Sequence, residues 1–533
     1  MKLAHASPQC DAGGAKRVGP ASDLVPRLTN SSNVGSVDGT AFVFVQRALL
    51  AVTLICALAV SAALVDLAVR AALRLELRWD TFAYHLPFAA LRGGLSIPYD
   101  MNDRYRPLYD GFPPLPDLAQ GLLWKLTGSV NATGVVNYLA FVTFLGYCHV
   151  ALRARFWLVG LISLTAPMVL IHTTVSYVDL FGNSLLAIGV ASCLYLYLFP
   201  ERASRVVMLG GLAGLAGAAW SKYLLVPLVA LVFCFLAVTI IRSTFTAGFT
   251  RRQAAGLLFA AAALAAIPYA KNLAMYGNPF WPIRVPIMAQ IFPYQVDPAP
   301  DIALQRPPPL KDYDQFSLFM NSLFEIDHPT QYDNRPRWII DQGNAWIAYR
   351  MGGFWGTGVI IYLVATIAML LVCARRSGIV ASLAFVGTVC VVGFLPQSNE
   401  LRYYMFIPLT WAAAIGMLFP NFRASFPRAG VAFLVLVIAL FLHMVFENET
   451  HYEISRVGYT EAARDWGAPQ WWTQFEPGKR YCVVDMVPIG ILLTGPTMSE
   501  FSIVDRSTEA LCPPQSIVVT SDGIQGHKGA VRP

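Results

Sequence analysis

The chain has 533 residues, of which 56% are hydrophobic and only 13% charged, with a formal net charge of +7. Apolar runs of about twenty residues recur along it, which places it among polytopic membrane proteins and excludes a soluble globular domain. The positive balance does not point to a nucleic-acid partner, because the arginines cluster in short gaps between apolar runs, where they report topology.

In chain order, residues 1–42 are polar and rich in Gly, Ser and Ala, with Lys16, Arg17 and Arg27, and this composition predicts a disordered cytoplasmic tail. No cleavable signal peptide is visible, since the first apolar run begins near Ala41 and is long enough to span. About eleven transmembrane helices are predicted within a transmembrane domain over 43–447. They lie at roughly 43–67, 133–151, 156–174, 180–199, 206–220, 223–241, 254–273, 354–373, 378–395, 403–419 and 429–446. Arg153, Arg155, Arg202, Arg205, Arg242, Arg251, Arg252, Arg375, Arg376, Arg423 and Arg428 fall in connectors on one side, which the positive-inside rule makes cytoplasmic. The N-terminus is then cytoplasmic and the C-terminus periplasmic, as expected for a multi-pass protein of a bacterial inner membrane. The long loops at roughly 68–132 and 274–353 share the outer face with the C-terminal tail.

Within the first outer loop, residues 118–126 have the apolar spacing and Trp-Lys pair of an interfacial helix, after the turn-rich stretch 111–116. Residues 80–92 predict a second such helix, opened by Asp80 and interrupted near Pro87. The tail, 448–533, shows strand-like runs at 481–485, 501–504 and 517–520, predicting a small α/β periplasmic domain. Six cysteines (Cys56, Cys148, Cys193, Cys234, Cys373, Cys390) lie in apolar segments, where a thiol acts as a small apolar side chain. Cys482 and Cys512 lie in the tail and would pair only if that region faces an oxidising compartment.

Polar residues collect at the outer helix ends. Asp80 and Tyr84 are four apart and share a face if helical, with His85 adjacent. Asp179 falls in the turn before the fourth span, Lys222 between the fifth and sixth, Lys271 at the end of the seventh, and Glu400, Arg402, Tyr403 and Tyr404 at the start of the tenth. Each has a plainer reading. Asp80 could cap a helix, Asp179 could form a turn, Lys222 and Arg402 could snorkel at helix ends, and His85 is more often a hydrogen-bonded interfacial side chain. The Tyr276-Gly277-Asn278-Pro279 segment reads as a structural turn, and the glycosylation sequons at Asn131 and Asn448 as incidental.

Two carboxylates and several cations on one membrane face suit sugar transfer from a lipid phosphate. Such a reaction needs a base for the acceptor hydroxyl and positive charge for the departing phosphate. Asp80 is the candidate base, Asp179 would orient acceptor or sugar, and Lys222 and Arg402 would hold the phosphate, with Tyr84, His85, Lys271 and Tyr403 as further substrate-binding candidates. No His or Cys cluster calls for a metal, and no cofactor is expected, although carboxylates at an outer loop are also compatible with a divalent cation.

These residues resemble the GT-C glycosyltransferase superfamily, the polytopic enzymes related to protein O-mannosyltransferases and lipid A aminoarabinose transferases. The resemblance runs over roughly 43–420 and rests on Trp79-Asp80 to Tyr84-His85-Leu86-Pro87, Tyr177-Val178-Asp179, Ser221-Lys222-Tyr223, the segment from Asn272 to Pro282, and Arg402-Tyr403-Tyr404. It implies an all-α GT-C fold, a polyprenyl-phosphate-linked sugar donor, inversion at the sugar, and a glycan, lipid or protein acceptor in the cell envelope. Many relatives carry an acidic doublet in the first loop, whereas here Asp80 is followed by Thr81. The alternatives are a polytopic transporter or lipid flippase, which would place ionisable groups and broken helices near the bilayer midplane, and a catalytically inactive envelope-assembly subunit.

Overall fold

The computed structural model describes residues 39–74, 80–95, 99–100, 105–244, 246–285, 288–297, 311–326, 338, 351–446, 479–484, 500–504, 517–520 and 523–527. The expected N-terminal tail up to residue 38, Trp79, the Asn448 sequon and Cys512 lie outside the described residues. The chain divides into two units, Met1–Val52 and Thr53–Pro533, with helix α1 (Gly39–Leu73) begun in the first and completed in the second.

Among the described residues nine helices are long and apolar enough to cross a membrane. In chain order the spanning helices include α5 (Val135–Val150), α8 (Asp179–Leu198), α10 (Val226–Ser243) and α11 (Arg251–Tyr276). Two expected spans depart from that form. The fifth is a short helix, α9 (Arg205–Ala219), and the third is broken into α6 (Phe156–Leu164) and α7 (Pro167–His172). Pro167 is the physical reason for the break: it cannot donate to the preceding turn and pushes Ala166 out of helical geometry, to φ −88° and ψ 108°.

After α12 (Gln315–Phe324), the helical stretch α13 (Gly356–Gly393) supplies two spans, Gly356–Ala374 and Arg376–Gly393. A Cβ on Gly378 would overlap the Leu370 carbonyl eight residues earlier, where a straight helix would hold the two about 12 Å apart. The chain therefore reverses tightly at the arginine pair, as the two separate apolar runs predict. Helices α14 (Phe406–Ser425) and α15 (Pro427–Phe446) complete the bundle.

Burial sorts the helices. From Phe406 to Phe419, α14 is buried without interruption, and α8 buries thirteen of its residues, whereas α11 buries only Ala254, Pro268 and Asn272. Apolar side chains such as Phe259, Leu264 and Ile267 on α11 point outward, as suits a helix bathed in lipid. The helices carrying Asp179 and the residues after Arg402 are therefore the interior ones.

The first loop holds the two expected helices. A π-helical turn (Thr81–His85) leads into α2 (Leu86–Arg92), and α4 (Leu115–Thr127) packs across α2 after the short α3 (Arg106–Gly111). Pro87 does not interrupt the first of these, because it falls in the opening turn of α2, where its missing N–H is not needed. The approach of α4 is close enough that a Cβ on Gly121 would sit 2.8 Å from the Gly93 nitrogen. Strands β2 (Arg480–Val484), β3 (Glu500–Val504) and β4 (Ile517–Thr520) fall where alternation predicts them, and the tail adds β5 (Gly523–His527). A two-residue strand of the first loop, β1 (Tyr99–Asp100), extends the sheet in the order β1-β3-β2-β4-β5, pairing Tyr99 with Phe501 and Asp100 with Ser502 in parallel.

Candidate active site

Asp80 precedes the π turn, Asp179 opens α8, Lys222 lies between α9 and α10, and Arg402 and Tyr403 form part of the turn Leu401–Tyr404 ahead of α14. These four segments meet at one end of the bundle. The segment before Asp179 is buried and irregular, so its backbone groups need side-chain partners. Asn137 supplies several: its amide nitrogen donates to the Val175 carbonyl at 2.9 Å and to that of Tyr177, and its oxygen accepts from the Phe181 N–H at 3.0 Å. Gln120 from α4 donates to the Ser176 carbonyl at 2.6 Å. Asp179 is thus a residue of a braced loop as well as the first residue of a helix, where a carboxylate interacts favourably with the helix dipole.

Asp179 and Lys222 form an ion pair whose carboxylate is buried. Burial pushes the Lys222 ammonium below the usual lysine range, and the Asp179 carboxylate opposes that shift. The Lys222 nitrogen also stands 3.7 Å from the centroid of the Tyr403 ring, and the Arg402 guanidinium lies 4.8 Å from the same ring. Tyr403 is in contact with both cations, each attracted to its π system.

Arg402 Nη2 donates to the Tyr403 hydroxyl at 2.7 Å and lies 3.3 Å from Glu400 Oε2 and 3.5 Å from Asp80 Oδ2. Its guanidinium faces the Tyr177 ring at 5.4 Å. The side chains of Asp179, Glu400 and Arg402 are all 5% exposed or less, whereas that of Asp80 is 22% exposed. Asp80 makes no capping hydrogen bond, so the plainer reading of it as a helix cap does not describe this fold. Tyr84, half-buried on the π turn, joins the cluster electrostatically. Burial raises its hydroxyl well above the ordinary tyrosine value, with the Asp80 carboxylate adding to the shift.

His85 and Lys271 take other roles. His85 Nδ1 is 3.5 Å from Asp117 Oδ1, and its ring lies against Tyr84 at 4.4 Å and Tyr177 at 5.6 Å, so it links α4 to the site as a buried, hydrogen-bonded side chain. Asp117 also faces Arg92 at 3.8 Å. The Lys271 ammonium bonds the Asp110 backbone carbonyl, and its neighbour Asn272 donates to the Gly111 carbonyl at 2.8 Å. Together they fasten α3 to α11. Sequence reasoning did not single out Glu400 as a counter-ion, nor Asn137, Gln120, Asp117 and Asn183 as supports. The one available signal was the occurrence of polar residues on otherwise apolar helices.

Asn183 binds the two central helices together. Its oxygen accepts from the Phe406 N–H at 2.9 Å and its nitrogen donates to the Asp179 carbonyl at 2.8 Å and the Arg402 carbonyl at 3.5 Å. One amide therefore sets the spacing between the Asp179 turn and the Arg402 turn. Among the described residues no group of three or more His, Cys, Asp and Glu side chains is arranged to hold a metal.

No family model matches the chain, and no curated protein matches it. Two solved structures are similar to it, both of ArnT from Cupriavidus metallidurans. One is bound to undecaprenyl phosphate, with 13% identity, a TM-score of 0.46, and coverage of 87% of this chain and 89% of that one. The other is in the apo state, with 14% identity, a TM-score of 0.37 and 90% of each chain covered.

Proposed function

We propose that this protein is an integral-membrane glycosyltransferase that moves a sugar from a polyprenyl-phosphate donor to a cell-envelope acceptor on the outer face of the membrane. The acceptor hydroxyl oxygen attacks the anomeric carbon, the bond from that carbon to the phosphate oxygen breaks with inversion, and the hydroxyl proton passes to Asp80. Polyprenyl phosphate departs with its negative charge held by Arg402 and Lys222. Such positioned proton transfer and charge stabilisation are the two contributions this chemistry asks of side chains.

The observation that carries this reading is the inequality of the three carboxylates. Glu400 and Asp179 are buried against cations, while Asp80 is the more exposed and has Arg402 only at 3.5 Å. A charge-assisted bond closes to about 2.7–2.9 Å, so this contact is loose. An arriving phosphate can take Arg402 from Asp80 and leave Asp80 free to accept a proton. A prenyl chain has an apolar place to lie as well. A groove of about 400 Å³ starts at Phe406, one turn beyond Arg402, and runs past Val232 and Val389 to Arg242.

One observation favours a second reading, transport. The break between α6 and α7 resembles the discontinuous helices of carriers. Transfer of labelled sugar from polyprenyl phosphate by purified protein separates the two. Asp80→Asn should lower the rate by roughly 10²-fold or more with an unchanged unfolding temperature. Full activity in that variant removes Asp80 as base. No turnover by the wild type, with substrate flux in proteoliposomes, supports transport instead.

A further inference from the structure

The helices that carry Asp179 and Arg402 at one end frame a second polar cavity at the other. Its volume is about 420 Å³, and its lining includes His149, Arg153, Arg155, Tyr195, Arg202 and Asn421. Tyr195 is in the last turn of α8, sixteen residues after Asp179, so about 24 Å of helix separates the two. The cavity lies at the opposite membrane face from the candidate active site and is independent of it.

Three arginines line the cavity, and their side chains are unevenly engaged. Arg202 stacks on Phe199 at 5.2 Å and lies 3.5 Å from Glu201. Among the described residues no hydrogen bond or ion pair engages the side chain of Arg153 or Arg155. The loop that presents them is fixed in place. The Ala154 N–H donates to the Cys148 carbonyl at 2.9 Å, the Arg155 N–H to the Gly416 carbonyl at 3.3 Å, and His149 Nδ1 meets the Ala154 carbonyl at 3.1 Å.

Arg153 has φ +55°, a left-handed backbone conformation that favours glycine, two residues beyond the Ala151 cap of α5. The positive-inside rule asks only that a short loop be basic. It does not ask that arginines line one cavity, nor that one of them take a conformation better suited to glycine. Strained backbone held in place by its surroundings marks a site with a task.

We propose that this cavity is a phosphate-binding site at the membrane face opposite the active site, with Arg153 and Arg155 as the main ligands and Arg202 and His149 at its wall. Planar guanidinium forks match phosphate oxygens geometrically. The apolar side chains beside them, Leu152 and Met417, suit the glycerol and acyl portion of a phospholipid as well as a free phosphate. The shared chemistry is the phosphate group.

The test uses the full chain in neutral detergent, titrated with phosphatidylglycerol, with phosphatidylcholine of the same acyl chains, and with inorganic phosphate, reading the unfolding temperature and the number of bound lipids by native mass spectrometry. Phosphatidylglycerol should raise the unfolding temperature by several degrees and phosphatidylcholine should not. Arg153→Gly and Arg155→Gln should each weaken that binding about tenfold. Arg153→Gly should also be at least as stable as the wild type without lipid, since glycine accepts this φ freely; Arg155→Gln stands by itself if that variant fails to fold. A shift with inorganic phosphate alone assigns the site to a soluble phosphate. Equal effects of the two lipids, no shift with any probe, or undiminished binding in the variants overturns the proposal.

Discussion

Arg402 Nη2 lies 3.5 Å from Asp80 Oδ2, farther than its 3.3 Å approach to Glu400 and its 2.7 Å bond to the Tyr403 hydroxyl. The guanidinium is therefore anchored from its own turn and only leans toward the first loop. Three carboxylates and two cations make up the cluster, so no cation stands ready for a phosphate without an exchange of partners. Glu400, the nearer carboxylate, should govern how readily Arg402 makes that exchange.

Removing the Glu400 charge should tighten Arg402 onto Asp80. Glu400→Gln keeps the shape but leaves Asp80 the nearest carboxylate, which holds the base in an ion pair, while the less neutralised guanidinium attracts the donor phosphate more strongly. Initial rates should show kcat for sugar transfer reduced about tenfold, about 1.4 kcal/mol in the barrier, with KM for the donor unchanged or lower. The unfolding free energy should fall by about 1–3 kcal/mol, because a buried ion pair loses its carboxylate charge. A variant with wild-type kcat would mean that Glu400 does not govern the Asp80 contact.

On the proposed function, Lys222 should give sugar transfer an alkaline limit. Its ammonium is held below the usual lysine range by burial, so it loses its proton below the ordinary value of about 10.4. As pH rises through that lowered pKa, the positive charge beside the leaving phosphate disappears and the rate should fall. Lys222→Arg should move this limb out of the accessible range, and a limb that stays in place assigns the titration to another group. Stability should move the opposite way. The folded protein releases this proton before the unfolded chain does, so between the two pKa values the unfolded state binds more protons and this group makes stability rise with pH.

The bundle was legible because a bilayer demands it. Each apolar run of sufficient length had to become a helix, and even the hairpin at Arg375 and Arg376 follows from two runs with a basic gap. Proline placed the break after the third run's first half, but hydropathy alone did not, since the residues on both sides remain apolar. The site was legible as a set of charges at helix ends and illegible as a network. Asp80, Asp179, Lys222 and Arg402 stand out against apolar neighbours, yet nothing in the spacing of Asn183 or Asn137 says that one holds α8 to the Arg402 turn and the other braces the loop before Asp179. Lys271 shows the converse: a cation at the same helix end, spent on a backbone carbonyl of the first loop. Direction of a side chain is a tertiary property, and charge at a boundary does not determine it.

Asn183 should be more costly to lose than its neutral, uncharged character suggests. It is fully buried and bonds the Phe406 N–H, one of the opening α14 amides that have no partner within their own helix. Asn183→Ala should reduce stability by about 1–3 kcal/mol, the cost of leaving a buried group unsatisfied. Because the same side chain spaces Asp179 from Arg402, kcat should fall with it, whereas Thr366→Ala, buried on α13 and bonded to the Tyr362 carbonyl one turn earlier, should leave kcat alone. Equal kcat in the Asn183 variant and wild type would show that the two turns keep their spacing without the amide.

Two glycines of α4 separate contact from conformation. Gly121 lies under α2, where an added Cβ would overlap the Ala89 carbonyl and stand 2.8 Å from the Gly93 nitrogen, and backbone atoms cannot rotate away. Gly128 ends the same helix at φ +68° with open space around it. Gly121→Ala should therefore push α2 off α4, costing about 1–3 kcal/mol by overpacking. Because the π turn bearing Tyr84 continues directly into α2, the displacement should reach Asp80 and lower sugar transfer in step. Gly128→Ala should cost about 1 kcal/mol from its left-handed backbone alone, with transfer per folded molecule unchanged. Matched unfolding curves and initial rates for the two variants check this, and the argument fails if Gly121→Ala loses stability without losing rate, because the first loop would then hold Asp80 independently of the packing of α2.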